Sequence, residues 1–127
     1  MVAYNFKSAF HGAIIAGFTV RHAGGKRHAR PGESVQIYTG LRTKDARKLI
    51  PDPVCVGLDV ITIQVDRLAK HFVGQIEING MPLSADQAHA FALADGFSGL
   101  EQFGRFWLAT HGAGRFEGVV IRWEPAP

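Results

Sequence analysis

The sequence predicts an α+β domain, a small mixed or antiparallel β-barrel with short helices attached. Three observations predict it. β-prone runs recur without regular helices between them, which argues against a parallel βαβ sheet. Two helix starts follow one another late in the chain, at Ser84 and Ser98. The 127 residues, 46% of them hydrophobic, suffice for one domain spanning 1–127 that buries a core without disulfide or metal.

Ser8 is placed to cap a short helix whose Phe10, Ala13 and Ile14 share a face, and Gly17 suits the left-handed residue that ends it. Phe18-Thr19-Val20-Arg21 is β-prone, and Ala23-Gly24-Gly25 breaks that run. Pro31-Gly32 signals a turn. Val35 to Thr39 alternates apolar with polar, and Val54 to Val65 is a long β-branched run, so both read as strands. In a further run Phe72, Gly74, Ile76 and Ile78 share one side, and Asn79-Gly80 closes a hairpin.

Ser84 with Gln87, and Ser98 with Glu101, have capping-box spacing. The first helix offers Ala88, Phe91 and Ala92 to a core and stops at Asp95-Gly96. The second offers Leu100, Phe103 and Trp107 and stops near Gly112. Gly118 to Trp123 forms the last strand, and the tail Pro125-Ala126-Pro127 is loose.

Charge is the most local property of the chain. Arg21, Lys26, Arg27, Arg30, Arg42, Lys44, Arg47 and Lys48 lie in one segment beside only Glu33 and Asp45, a balance of +6 against −3 elsewhere. The segment reads as two basic loops flanking one strand. Such a cluster attracts polyanions, so nucleic acid is the first partner to expect, with an acidic protein the other.

Several pieces in this order resemble the ASCH domain, of the PUA-like β-barrel superfamily, over nearly the whole chain. They are Phe6-Lys7 with the helix to Gly17, the Thr19-Val20-Arg21 element, Arg30-Pro31-Gly32-Glu33, and Tyr38-Thr39-Gly40-Leu41-Arg42-Thr43-Lys44. Leu93-Ala94-Asp95-Gly96-Phe97 and the helix from Phe103 to Trp107 resemble the family's closing region. The Tyr38 to Lys44 wording is similar to small stand-alone members of bacteria and phages. The resemblance implies a PUA-like barrel with a cleft beside its basic face that binds RNA or a nucleotide or nucleoside.

Some small members are hydrolases of N4-acetylcytidine that use a lysine, a threonine and a glutamate, and others are associated with ribonuclease activity. The lysine and threonine belong to a Gly-x-Lys-x-x-Thr-x-Arg pattern. Here Gly17-Phe18-Thr19-Val20-Arg21 keeps Gly, Thr and Arg and lacks the three-residue insert that carries the lysine. The hydrolase alternative therefore rests on Thr19 as the polarising or attacking hydroxyl, with Lys26 entering from the next loop to supply charge.

For the binding reading, the planar fork of Arg21 suits a phosphate or a base edge. Lys26, Arg27 and Arg30 would neutralise phosphates. Tyr38 would stack on an unpaired base, and Thr39, Arg42, Thr43, Lys44 and Arg47 would form the second edge of the cleft. Asp95 reads as the end of a helix, and Glu77 as an exposed neighbour of the Asn79-Gly80 turn, with a place facing the cleft open to either.

Other chemistries find little footing. The six histidines have no zinc spacing, so no metal or other cofactor is expected. Gly24-Gly25-Lys26 fails as a phosphate loop, because Val20 and Arg27 stand where Gly and Ser or Thr are required. There is no nucleophile elbow, and Cys55 in Val54-Cys55-Val56 reads as a small buried side chain. No stretch approaches the roughly 20 apolar residues of a membrane span, and the N-terminus lacks signal-peptide character. A cytoplasmic location is the expectation.

Overall fold

A computed structural model describes residues 2–5, 17–22, 27–39, 43–44 and 46–125. Within them, eight strands in two sheets and two α-helices make a mixed α+β domain. The strands are β1 (Val2–Asn5), β2 (Phe18–His22), β3 (Val35–Thr39), β4 (Arg47–Lys48), β5 (Val54–Val65), β6 (Val73–Ile78), β7 (Met81–Pro82) and β8 (Gly114–Glu124). The helices are α1 (Ala85–Ala94) and α2 (Leu100–His111). The expected helix after Ser8 lies outside the described residues.

The larger sheet is antiparallel, in the order β2-β8-β5-β6-β7. The smaller has the order β1-β3-β4, with β1 parallel to β3 and Tyr4 opposite Ile37. The sheets meet where Ser34 bridges Val54 and where Cys55 N–H donates to the Glu33 carbonyl (2.8 Å). Among the described residues the ladders do not close into one barrel.

Side-chain alternation gives β8 a core on each face. Val120 and Phe116 point into the first, where Phe18, Ile61, Ile63, Ile76, Phe103 and Trp107 pack beneath the helices. Ile121 and Trp123 point into the second, with Tyr4, Ala29, Val35, Ile37 and Cys55. In β2 the same alternation sends Phe18 to the first core and turns Thr19 and Arg21 to the other face, beside their β8 partners Ile121 and Val119.

Asn79 and Gly80 close the β6–β7 hairpin with φ of 51° and 79°, the left-handed pair such a turn requires. The Asn79 side chain also accepts from Val60 N–H (2.9 Å) and donates to Asp59 (3.0 Å), which ties the turn to β5. Ser84 and Gln87 form the expected capping box at α1. α2 stops where expected, at Gly112.

Four local expectations need correction. α2 has no capping box at Ser98: Gly99 precedes the helix without a side-chain cap, Gln102 reaches back to Ser98 N–H (2.6 Å), and Glu101 pairs with Arg105 (2.8 Å). Phe72 is not in a strand but in a short turn (Lys70–Phe72) in which His71 and Phe72 have φ of 57° and 64°, and Gly74 faces solvent. The last strand begins at Gly114, earlier than Gly118, because β5 is long enough to pair with all of it. Glu77 is half-buried on β6.

The turn at Lys70–Phe72 packs on α2 at Gly104, where a Cβ would run into the His71 carbonyl oxygen. Only a glycine lets helix and turn approach this closely. No helix among the described residues is long and apolar enough to cross a membrane.

Candidate functional site

β2 is the outer strand of the larger sheet, and its far face carries two polar side chains that the strand period places together. Arg21 Nε donates to Thr19 Oγ1 (3.1 Å), and Thr19 is buried. The Arg21 guanidinium carbon lies 5.4 Å from the centroid of the Tyr4 ring, in cation–π range. Burial lowers the Arg21 pKa from its ordinary value, with Tyr4 and Asp95 opposing that shift. A guanidinium starts so high that it remains a cation.

Tyr4 connects this cation to the first basic loop. Its hydroxyl accepts from Ala29 N–H (3.0 Å) and pairs with His28 Nδ1 (3.2 Å), and the two rings are nearly parallel. Burial pushes the Tyr4 phenol up, so it stays protonated. The loop is stiffened from its other side by Glu33, which takes both guanidinium nitrogens of Arg27 (2.8 and 2.6 Å) and the Arg30 N–H (3.0 Å). The Arg27 fork holds the Glu33 carboxyl well below the usual carboxylate range. Arg27 thus holds the loop together, while the Arg30 side chain is exposed.

In the second basic set Lys48 pairs with Asp52 (2.9 Å) and lies 5.9 Å from the Tyr38 ring centroid. Tyr38 and Thr39 are half-buried, while Thr43, Lys44 and Arg47 are exposed. Among the described residues, Arg30, Lys44 and Arg47 are the exposed cations of the basic segment that make no ion pair. Lys26 and Arg42 lie outside the described residues, so the expected meeting of Lys26 with Thr19 is not part of this geometry.

Sequence reasoning took Asp95 as a helix end and gave no sign that its side chain is buried. Its backbone does end α1: Gly96, with φ of 96°, donates to Leu93, and Phe97 N–H donates to the Ala92 carbonyl (3.0 Å). This is a Schellman closure, and Phe97 secures it by packing edge-on against Phe103 in the first core. The side chain held there is 9% exposed and has no hydrogen bond or ion pair among the described residues. Burial raises its pKa from 3.8 to about 7, with Arg21 acting in the opposite direction. A buried acid whose ionisation is disfavoured in this way is a candidate functional group.

Cys55 is buried, its thiol pushed up by burial and directed at the Gly57 carbonyl (3.5 Å). That is the environment of a packing residue. Among the described residues no group of three His, Cys, Asp or Glu is arranged to hold a metal ion. No family model, curated protein or solved structure matches the chain.

Proposed function

We propose that this chain is a PUA-like ASCH module that binds RNA, or a nucleotide fragment of it, at Arg21, with Arg30, Lys44 and Arg47 as the electropositive border. The observation that carries the reading is the preorganisation of Arg21. Its side chain is fixed by Thr19 and Tyr4, and Tyr4 also anchors the loop that carries Arg30. A guanidinium held this way loses little freedom on meeting a phosphate or base edge, and the exposed cations add affinity through counterion release. A cytoplasmic location accords with such a ligand. The test is fluorescence anisotropy of a labelled single-stranded RNA with Arg21→Ala: binding should weaken at least about tenfold, as expected for a lost charge-assisted contact.

The second reading, a hydrolase acting in the same place, draws on the buried carboxyl of Asp95, whose ionisation burial disfavours. In that reading Arg21 and Thr19, joined by a hydrogen bond, are the cation and the hydroxyl, and Asp95 is the acid–base carboxyl that cleavage of an N4-acylated cytidine requires. Here Arg21 takes the charge-stabilising part expected of Lys26. Turnover of N4-acetylcytidine to cytidine and acetate, lost in Thr19→Ala, would establish it; no product from the purified protein would eliminate it.

A further inference from the structure

On the face of the larger sheet that carries Arg21, an apolar strip stands open. Leu58 and Val60 of β5 are 42% and 58% exposed, although β5 is an inner strand with β8 and β6 on either side. Register fixes their neighbours. Val60 is opposite Val119, which is opposite Arg21, and Leu58 is opposite Ile121, which is opposite Thr19. Residues opposite one another share a face, so Arg21, Val119 and Val60 form one row across three strands, and Thr19, Ile121 and Leu58 form the next. Ile121 is buried in the second core with Tyr4, Val35 and Ile37 of the smaller sheet, and Val119 is half-buried at its margin. Leu58 and Val60 continue that apolar surface to where it is open. Single exposed apolar side chains are ordinary, but this pair is contiguous and its row ends at a cation.

Charge around the strip is one-sided. The β2 side carries Arg21, whereas the next row along the strands holds Thr62, Glu117 and Glu77, with Glu117 paired to Arg115 (3.2 Å). A ligand lying here therefore places an anionic group toward β2 and an uncharged, apolar body over β5. The spacings suit a nucleotide: about 10 Å, two strand intervals, between the Arg21 and Val60 backbones, and about 7 Å, two residues, between Leu58 and Val60. The strip is also held in place, since Val60 N–H donates to the Asn79 side chain (2.9 Å) and Asn79 N–H to the Val60 carbonyl (2.8 Å). Little ordering remains for a ligand to impose.

We propose that one unpaired nucleobase lies flat on Leu58 and Val60, with the phosphate of the same nucleotide at Arg21. The inference rests on the RNA-binding reading above and deepens it, because it gives the ligand a direction across the sheet, phosphate at β2 and base at β5. Apolar side chains pack against the face of a base as aromatic ones do, and burying that face adds affinity that salt does not screen. Single-stranded RNA is then the ligand. A base inside a duplex is stacked on both faces and has none to offer.

The test compares a labelled single-stranded RNA octamer with an octamer of abasic tetrahydrofuran phosphodiesters that carries the same charge. In anisotropy the parent should bind the base-bearing octamer at least about fivefold more tightly. Leu58→Ser and Val60→Ser combined should bring that octamer down to the abasic level while leaving the dependence on salt unchanged. A second measurement needs no variant: the methyl resonances of Leu58 and Val60 should move upfield, by the ring current of the base, with RNA and not with the abasic octamer. Equal affinity for the two octamers, unmoved methyls, or a double variant that still prefers bases overturns the proposal and leaves the phosphate reading standing. Sedimentation of the parent as a dimer that the double variant dissolves assigns the strip to a second copy of this chain and overturns it too. No binding of either octamer in low salt sinks both readings.

Discussion

Asp95→Asn should stabilise this protein, and more so as the pH rises. In the unfolded chain the carboxyl ionises near its ordinary value of 3.8, whereas in the fold it ionises at about 7. The folded state therefore binds the proton more tightly, so stability is full below about pH 4, falls as pH rises, and reaches a constant penalty above about pH 7. A shift from 3.8 to about 7 corresponds to roughly 4 kcal/mol at the alkaline plateau. Between pH 5 and 8 the part that develops is about 2.5 kcal/mol.

Asparagine keeps the shape and cannot ionise, although its amide is buried in turn. That packing change is nearly independent of pH, so the informative quantity is the difference between parent and variant at two pH values. Asp59, held low by Arg122, and Glu33, held low by Arg27, lose their stabilisation only in acid below this window and cancel in the comparison. Urea unfolding of both proteins at pH 5 and 8 should show the variant's advantage growing by about 2.5 kcal/mol toward pH 8. A constant gap would refute the buried, poised carboxyl.

Three further outcomes follow from single contacts. Gly104→Ala should lose about 2–3 kcal/mol in urea unfolding, because overpacking against the His71 carbonyl outweighs the roughly 1 kcal/mol that alanine adds to a helix; unchanged stability would contradict the close approach. Tyr4→Phe removes the acceptor of the buried Ala29 N–H, so thermal or urea unfolding should show a loss of about 1–3 kcal/mol, with weaker RNA binding as the Arg30 loop loses its anchor. Ser84→Ala should cost about 1 kcal/mol by breaking the capping box, without altering RNA binding.

Much of the fold was legible because local chemistry and tertiary need agree. The β-branched run of β5, the Asn79-Gly80 pair and the Ser84 box each specify their structure within a few residues. β1 was not legible, since Val2–Asn5 becomes a strand only by pairing in parallel with β3, some thirty residues away. β4 and β7, of two residues each, exist only as partners of longer strands. At Ser98 the spacing was right, but Gln102 and Arg105 took the partners that a capping box would have used.

The site shows the same division. Thr19 and Arg21 were recognisable as a pair because strand period alone puts them on one face. The Asp95-Gly96 stop was read correctly as backbone, yet a helix end says nothing about where its side chain points. The pairings of Arg27 with Glu33 and of Lys48 with Asp52 were likewise invisible in a count of charge, and they divide the basic segment into cations that hold loops and cations that face solvent.

Arg30, Lys44 and Arg47 border the proposed RNA site. Anisotropy of a labelled single-stranded RNA, titrated from about 50 to 200 mM salt with the parent and with Arg30→Ala, Lys44→Ala, Arg47→Ala combined, tests it most directly. The logarithm of the association constant should fall linearly with the logarithm of salt. The triple variant should lose about two units of that slope with little change in unfolding. Binding that ignores salt, or a slope unchanged by removal of all three cations, would contradict it.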